Sequence, residues 1–345
     1  LTGAFGESEA GGWWIPELKF AGFDAVVIKG KAQRPVYLWI HDGEAQIRDA
    51  HHLWGKFLKE TQEEIRKELG DERIRIASIG PAGEKLVKVA CILNDLKHAN
   101  GRTGLGAVMG SKNLKAIAVR GKKRMEVADE ESVKRLTKWV KDTYEEPYFS
   151  LGNLGTARIT GILSEQGILP TLNFREGSFE GAEALSGETM SKTILVRRGT
   201  CHGCFVRCKR EVQVTEPYSV DPSYGGPEYE TLAAFGSTCG IDDLKAISYA
   251  NQLCNAYGMD TISTGGLVSF AMECYENGIL KKGDTGGMDL RFGNVDAMVR
   301  TVEMIGKREG LGDVLADGIS SAAEKLGKGA ERFAMHVKGM PLPFH

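Results

Sequence analysis

The chain lacks a long hydrophobic run, because apolar stretches such as residues 25–28 are far too short to span a bilayer. It also lacks an excess of charge of either sign, with a formal net charge of −2. We therefore expect neither nucleic acid nor a membrane surface as a partner. The seven cysteines are odd in number and unevenly spaced, which argues against a disulfide framework and favours a reducing, cytoplasmic compartment.

What the chain does have is enough residues for two domains and a large core. It contains 345 residues, of which 42% are hydrophobic. Because it begins without Met and ends abruptly, we expect it to be an internal piece of a longer protein. The 44 glycines lie in short clusters between periodic segments. This pattern indicates backbone that approaches a ligand closely.

Hydrophobic periodicity predicts an α+β fold in two parts. Residues 1–124 have a mixed α/β pattern, and residues 125–345 are mostly helical. The boundary between these two predicted domains is the basic turn 121–124. Strands are predicted at 24–30 and 35–40, which would form a hairpin, and at 73–79 and 114–120. Helices are predicted at 53–69, 82–97, 129–143, 153–166, 242–257, 261–277, 294–309 and 311–326.

Three cysteines, Cys201, Cys204 and Cys208, fall within eight residues at the spacing C-x2-C-x3-C. A zinc site usually takes its four ligands in two pairs. A triplet with one distant cysteine is instead the arrangement expected for a [4Fe–4S] cluster. A zinc site and purely structural thiols are the alternatives. Within the chain, Cys239 lies in a glycine-flanked loop and is the best local candidate for a fourth ligand.

A glycine-rich stretch covers residues 100–113 and contains Arg102. Its four glycines let backbone N–H groups approach an anion, and the arginine adds positive charge. The stretch is neither a Walker loop nor a Rossmann fingerprint. A plain turn is the alternative, but a second glycine-rich piece at 6–14 favours a ligand site.

Two carboxylates, Glu228 and Glu230, follow a Gly-Pro turn and lead into an apolar segment. Acids at the start of a helix interact favourably with the helix dipole, and this explanation is the simpler one. The alternative is a carboxylate inside a cavity, where it could perform acid–base chemistry.

The turn around Gly258 separates two predicted helices. Asp260 is a natural N-cap for the helix at 261–277, and Gly258 ends the preceding helix. Capping explains most of this pattern. It leaves open that Asn255 and Asp260, which flank the turn, also contact a polar heterocycle.

Together these features resemble the tungsten-containing aldehyde:ferredoxin oxidoreductase family. The resemblance rests on residues 11–24, 101–116 and 227–231 and on the cysteine triplet, and it extends over essentially the whole chain. Members of that family are considerably longer. The chain resembles the later part of a pterin-binding first domain followed by the second domain.

The resemblance implies tungsten, or molybdenum, held by two pterins, a Mg²⁺ that bridges the pterin phosphates, and a [4Fe–4S] cluster as the electron exit. Cys201, Cys204 and Cys208 match three cluster ligands, and the fourth is expected from a third domain rather than from Cys239. Asn255 departs from the family pattern, which has Asp there. The residues that match pterin contacts are Glu9, Gly11, Gly12, Arg102, Thr103, Gly104, Gly106, Asn255 and Asp260.

The implied activity is oxidation of an aldehyde to a carboxylic acid, with electrons passed to ferredoxin or another electron-transfer subunit. Glu230 matches a carboxylate of the metal pocket that orients or deprotonates water. We expect the family's active-site histidine outside this chain, and assign it to neither His336 nor His345. A homo-oligomer is compatible with the resemblance. The alternatives are the tungsten subunit of a class II benzoyl-CoA reductase and a non-catalytic iron–sulfur electron-transfer or binding protein.

Overall fold

The computed structural model describes residues 2–123, 125–144 and 148–345. Part of the predicted domain boundary, Arg124, lies outside the described residues. The described chain forms a mixed β-sheet followed by a larger set of packed helices, which confirms the α+β class. No helix in the described ranges is both long enough and apolar enough to cross a bilayer.

Six strands form the sheet, namely β1 (Val36–His41), β2 (Glu44–Asp49), β3 (Arg75–Ser78), β4 (Ile92–Asn94), β5 (His98–Asn100) and β6 (Leu114–Arg120). Their order is β2-β1-β6-β3-β4-β5. The β1–β6 pair is parallel and the other pairs are antiparallel. Because β6 lies between β1 and β3 and is covered on both faces, its sequence is almost continuously apolar.

Helices pack against both faces of the sheet. On one face Tyr37 and Trp39 of β1 join Ile65 of helix α2 (Leu58–Leu69) in a buried cluster. On the other face Ile40 packs with Trp14 of helix α1 (Trp14–Phe20). Alternate strand residues point to opposite faces, so β1 supplies apolar side chains to both clusters.

Most of the remaining helices surround a second and larger core, whereas α5 (Glu130–Thr143) has no buried residue. Within it helix α11 (Thr261–Glu276) is buried continuously from Ser263 to Cys274, so no side of this stretch faces solvent. The helices are α3 (Pro81–Glu84), α4 (Leu105–Ser111), α5 (Glu130–Thr143), α6 (Tyr148–Leu154), α7 (Thr160–Glu165), α8 (Gly187–Thr193), α9 (Tyr229–Phe235), α10 (Leu244–Tyr257), α11 (Thr261–Glu276), α12 (Val295–Lys307), α13 (Leu311–Ala316) and α14 (Ile319–Leu326). Two further antiparallel pairs are β7 (Leu195–Gly199) with β8 (Lys209–Val212), and β9 (His336–Val337) with β10 (Met340–Pro341).

The segment 87–91 connects the sheet to the helical core. One edge of its backbone bonds to the turn between α10 and α11, and the other edge bonds to α4. These bonds join Cys91 N to Gly258 O at 2.8 Å, Asp260 N to Val89 O at 2.9 Å, and Gly106 N to Ala90 O at 3.0 Å. The two halves of the fold are therefore joined by backbone hydrogen bonds as well as by packing.

The predicted helix at 82–97 is wrong. Only the short α3 is helical there, and β4 and β5 follow as a hairpin whose turn places Asp95 and Leu96 at positive φ. Apolar residues at 87, 89, 91 and 93 alternate with the period of a strand. Their backbone groups bond to partners far away in the chain, and this pairing outweighs the local helical pattern.

The predicted hairpin of 24–30 with 35–40 is also wrong. No strand forms at 24–30, and β1 pairs instead with β2, which the sequence analysis did not identify. The connecting residues Asp42 and Gly43 both have positive φ, at 45° and 89°. An Asp-Gly pair with these angles is a favoured two-residue hairpin turn. That signal was present, but the polar sequence of β2 concealed the strand.

Two predicted helices are interrupted. Residues 153–166 break around Gly155, which has a φ of +69° and whose Cβ position lies 3.1 Å from the Cys208 carbonyl oxygen. Residues 311–326 divide into α13 and α14. The predicted helix 53–69 begins later, at Leu58.

The predictions confirmed within a few residues are the strands 73–79 and 114–120 and the helices 129–143, 242–257, 261–277 and 294–309.

A buried ion pair fixes the loop before α2 against β6. The side chain of Lys115 is fully buried, contacts Glu84, and donates to the Lys56 carbonyl at 3.0 Å. Glu84 also accepts a hydrogen bond from Gly55 N at 2.7 Å. Burial lowers the pKa of Lys115 even though Glu84 opposes that shift.

We predict that Lys115→Met lowers the free energy of unfolding by roughly 3–5 kcal/mol, because it leaves the Glu84 carboxylate buried without its cation. The measurement is urea denaturation. Lys134→Met is the control, since Lys134 and Glu130 form an exposed pair on α5. That change should cost about 0.5 kcal/mol or less. Equal losses for the two variants would contradict the prediction.

Candidate functional site

Two adjacent cavities lie between the sheet and the helical core. The larger has a volume of about 720 Å³ and the smaller about 430 Å³. Both volumes are typical of small-molecule and cofactor sites. Five residues line both cavities, which therefore share a wall: Glu9, Ala99, Lys209, Glu228 and Glu230.

The cysteine triplet lies on the loop that connects β7 to β8. Gly199 pairs with Lys209 at the open end of this hairpin, so the nine intervening residues form one compact loop. Cys201, Cys204 and Cys208 are free and partly exposed. Cys201 and Cys208 line the smaller cavity. Among the described residues, no three His, Cys, Asp or Glu side chains form a group that could hold a metal ion.

Two predicted cofactor-binding glycines pack directly against this loop. A Cβ on Gly11 would lie 2.8 Å from Cys201 Sγ. A Cβ on Gly12, where φ is +104°, would lie 2.9 Å from Cδ2 of His98. The Gly12 carbonyl accepts a hydrogen bond from His202 N at 3.1 Å. Glycine is thus required here because the 11–12 backbone touches both a thiol and an imidazole.

His98 is a neighbour of the triplet that the sequence analysis did not identify. Its Nδ1 lies 4.0 Å from Cys201 Sγ, within hydrogen-bond range for sulfur. Burial, with help from Lys209 and Lys97, lowers the pKa of His98 to about 4. The imidazole is therefore neutral at neutral pH, and one ring nitrogen can donate to the thiol.

A second unpredicted pair lies on the opposite wall. Lys209 Nζ lies 2.9 Å from Glu228 Oε1, and the Thr156 hydroxyl donates to Glu228 Oε2 at 2.5 Å. Burial would raise the pKa of Glu228, but the Lys209 ammonium and these hydrogen bonds outweigh it and hold the pKa below its ordinary value. Burial and the nearby Glu228 raise the pKa of the free Cys208 thiol.

Glu230 lies in the first turn of α9 and borders both cavities. The backbone N of Phe344 donates to both of its carboxylate oxygens at 3.2 Å. His345 Nδ1 also contacts Glu230, a contact that the sequence analysis did not anticipate. The carboxylate is thereby held at one position on the shared wall.

Asp260 and Asn255 line the far end of the larger cavity. Asp260 caps α11, because its carboxylate accepts from Ile262 N at 3.1 Å and Ser263 N at 3.0 Å. Asn255 Nδ2 donates to the Tyr224 carbonyl at 2.8 Å. The expected N-cap is confirmed, and both side chains also border the cavity.

Arg102 is the charged residue of the glycine loop at this end. Its Nε is buried and lacks a hydrogen-bond partner in the described chain, and Asp260 Oδ2 lies 3.6 Å away. Its guanidinium also donates to the Pro341 carbonyl. An unsatisfied buried donor beside a polar cavity is the kind of group that a bound ligand satisfies.

Most of the predicted site residues line one of the two cavities. The others do not line either cavity. Gly104 and Gly106 pack against the 88–91 backbone, since their Cβ positions lie 2.4 Å from Lys88 O and 2.5 Å from Cys91 O. The predicted residues that line a cavity are Glu9, Gly11, Arg102, Cys201, Cys208, Glu230, Asn255 and Asp260. Those absent from both linings are Gly12, Thr103, Gly104, Gly106 and Cys204.

Comparison with known proteins places the chain in a family of redox enzymes. A sequence model described as "Aldehyde ferredoxin oxidoreductase, N-terminal domain" matches residues 1–121. A second, "Aldehyde ferredoxin oxidoreductase, domains 2 & 3", matches residues 132–345. The chain belongs to the aldehyde ferredoxin oxidoreductase family.

Individual relatives agree with this family. The "Tungsten-containing aldehyde ferredoxin oxidoreductase" of Pyrococcus abyssi (strain GE5 / Orsay) is 45% identical over 352 residues, which cover 99% of this chain and 56% of that protein. The "Aliphatic sulfonate oxidoreductase, WOR-like subunit" of Pyrococcus furiosus (strain ATCC 43587 / DSM 3638 / JCM 8422 / Vc1) is 35% identical over 352 residues, covering 95% of this chain and 55% of that protein. The chain thus spans little more than half the length of these relatives.

A solved structure shares the fold. It is the "Active site complex BamBC of Benzoyl Coenzyme A reductase in complex with 1,5 Dienoyl-CoA". The likeness has a TM-score of 0.80 and 30% sequence identity, and it covers 97% of this chain and 52% of that one.

We predict that Gly12→Ala loosens the cysteine loop. The new methyl group would meet His98, and overpacking of this kind costs roughly 1–3 kcal/mol. Hydrogen exchange of the His202 amide, which bonds to Gly12 O, should become roughly tenfold faster or more.

Gly30→Ala is the matched control, because Gly30 also has positive φ but has open space around its Cβ position. If both variants gave the same exchange rate at His202, the clash with His98 would not be the cause.

Proposed function

We propose that the chain is part of a tungsten–pterin oxidoreductase that oxidises an aldehyde to a carboxylic acid. Electrons would leave through a [4Fe–4S] cluster to ferredoxin or another electron-transfer subunit. The observation that supports this proposal best is the wall shared by the two cavities. They place Glu230 on a wall that is shared by the cysteine loop and by the Arg102–Asp260 end.

The residues present fit a pterin in the larger cavity. Arg102 offers an unsatisfied N–H group, and Asp260 and Asn255 present oxygen acceptors to a heterocycle that carries N–H donors. Glu9 lies on the same wall. We propose that these residues hold one pterin, with the second pterin and the bridging Mg²⁺ held partly by segments outside this chain.

We propose that the cysteine loop binds an iron–sulfur cluster, in which each thiolate takes its own iron, rather than a single metal ion. Cys201, Cys204 and Cys208 would each bind one iron, and we propose that the fourth thiolate comes from outside this chain. The environment of Cys239 supports a fourth ligand from outside this chain. Cys239 is fully buried, and its thiol donates to the Ala234 carbonyl at 3.4 Å. Such an environment is that of a structural thiol.

Glu230 is the proposed catalytic carboxylate. Overall, the aldehyde and one water give a carboxylic acid, two protons and two electrons. The bound tungsten–pterin group would supply the two-electron redox chemistry. Glu230 would orient the attacking water and accept its proton, and the Phe344 N–H bonds would hold the carboxylate in place for that transfer.

The likeness to the benzoyl-CoA reductase complex supports a second candidate function. A protein of that type would act on an aromatic thioester instead of an aldehyde. A non-catalytic iron–sulfur protein is a third candidate, and it would contain iron without tungsten or molybdenum.

We further propose a cytoplasmic location and a domain boundary near residues 121–125.

The test uses the full-length protein purified without oxygen. We expect one tungsten and about four irons per chain, as a [4Fe–4S] cluster requires. Addition of aldehydes should reduce a viologen dye, while 1,5-dienoyl-CoA should not. Zinc without iron, or dye reduction with the dienoyl thioester alone, would overturn the proposal.

We predict that Glu230→Gln lowers the rate of aldehyde oxidation roughly 100- to 10,000-fold, the usual contribution of a positioned acid or base. Tungsten and iron contents should remain unchanged, because the amide keeps the size of the side chain. Glu188→Gln is the control, since Glu188 is an exposed acid in the first turn of α8. A Glu230→Gln enzyme with more than half the normal rate would rule out the assigned role.

A further inference from the structure

A third cleft, which we call the arginine cleft, lies on the far side of His98 from the smaller cavity. Its volume is about 520 Å³. Elements from both halves of the fold form it, namely α2, β3, the β4–β5 turn and the β7–β8 hairpin with its cysteine loop. The charged residues that line it are Arg66, Arg75, Lys97, Arg197, Arg198 and Arg207, with Asp95 and Glu211.

Positive charge exceeds negative charge in this cleft by six groups to two. Asp95 lies 3.7 Å from Arg66 and 3.6 Å from Arg75. Glu211 is 2.5 Å from Lys97 and 2.6 Å from Arg197. Each carboxylate is therefore already shared between two cations, which leaves a net positive surface.

Arg198 and Arg207 have no carboxylate within ion-pair distance in the part of the chain that the structure describes. Arg198 donates to Asn153 Oδ1 at 2.6 Å, and Arg207 donates to the Arg198 carbonyl at 3.3 Å. Both are exposed, as is Arg197. Exposed and unneutralised arginines attract a negatively charged partner and present a planar group that binds carboxylates well.

The cleft also lies beside the proposed electron exit. Thr200 and Arg207 belong to the cysteine loop and line the cleft. His98 lines both the cleft and the smaller cavity, and its Nδ1 is 4.0 Å from Cys201 Sγ. A single imidazole therefore separates the cleft from one of the thiols proposed to bind the cluster.

We propose that the arginine cleft is the docking surface for an acidic electron-carrier protein. The proposal rests on the proposed function, since it needs a cluster on the cysteine loop. Carboxylates of the carrier would pair with Arg198 and Arg207, and each encounter would move one electron from the reduced cluster to the oxidised carrier. Opposite charges steer such encounters and raise their rate at low salt.

The test measures reduction of an acidic ferredoxin by the full-length holoenzyme, with aldehyde as the electron donor. Arg198→Glu should lower the second-order rate constant roughly tenfold or more at low ionic strength, and it should weaken the dependence on salt. Arg198→Lys should keep most of the rate. Arg300→Glu is the control, because it reverses an exposed charge on α12 outside the cleft.

Two further measurements separate docking from the chemistry. Aldehyde-dependent reduction of a small neutral dye should be unchanged in Arg198→Glu, because a small molecule does not need the cleft. The midpoint potential of the cluster, measured by electron paramagnetic resonance, should also be unchanged. If the unaltered enzyme cannot reduce the dye, the proposed function fails.

Docking at the cleft is overturned if dye reduction is normal but ferredoxin reduction is equal in the unaltered enzyme and Arg198→Glu. It is also overturned if the loss of rate accompanies a shift in the cluster potential, because the charge would then act on the cluster itself. Arg207→Gln provides a second variant that removes a cleft charge without reversing it.

Discussion

The placement of Arg102 and Asp260 in the larger cavity depends on the backbone hydrogen bonds along both edges of residues 87–91. One edge bonds to the turn that carries Asp260, and the other bonds to α4, which follows Arg102 in the chain. A buried backbone group that loses its partner costs roughly 1–3 kcal/mol, so this segment cannot shift cheaply. It therefore sets the distance between Arg102 and Asp260, a charged pair in the lining of the larger cavity.

The parts of the fold that the sequence predicted have strong local signals. Strand β6 is an apolar run between turns, α10 ends at the expected Gly258, and α11 is capped by the expected Asp260. The region 82–97 could not be predicted in this way. Its backbone bonds to partners more than 100 residues away, such as Gly258, and a local pattern contains no information about such pairing.

The candidate site was likewise predictable only where its residues lie close together in the sequence. The cysteine triplet was recognisable because its spacing is local, and all three cysteines do lie on one loop. His98 gave no signal, since its relation to Cys201 appears only after folding brings together residues 103 positions apart. The Lys209–Glu228 pair was hidden for the same reason. Chemistry that depends on side chains from separate elements needs the fold before it can be predicted.

Asn255 gives the larger cavity an acceptor that does not ionise. One N–H of its amide nitrogen donates to the Tyr224 carbonyl, and the amide oxygen remains an acceptor for a ligand. An aspartate at this position would carry a charge whose strength depends on pH and on Arg102 nearby. The amide instead offers a constant partner across the pH range, and it leaves Asp260 as the single negative charge opposing Arg102 there. Ligand binding at this end is thereby made insensitive to protonation at position 255.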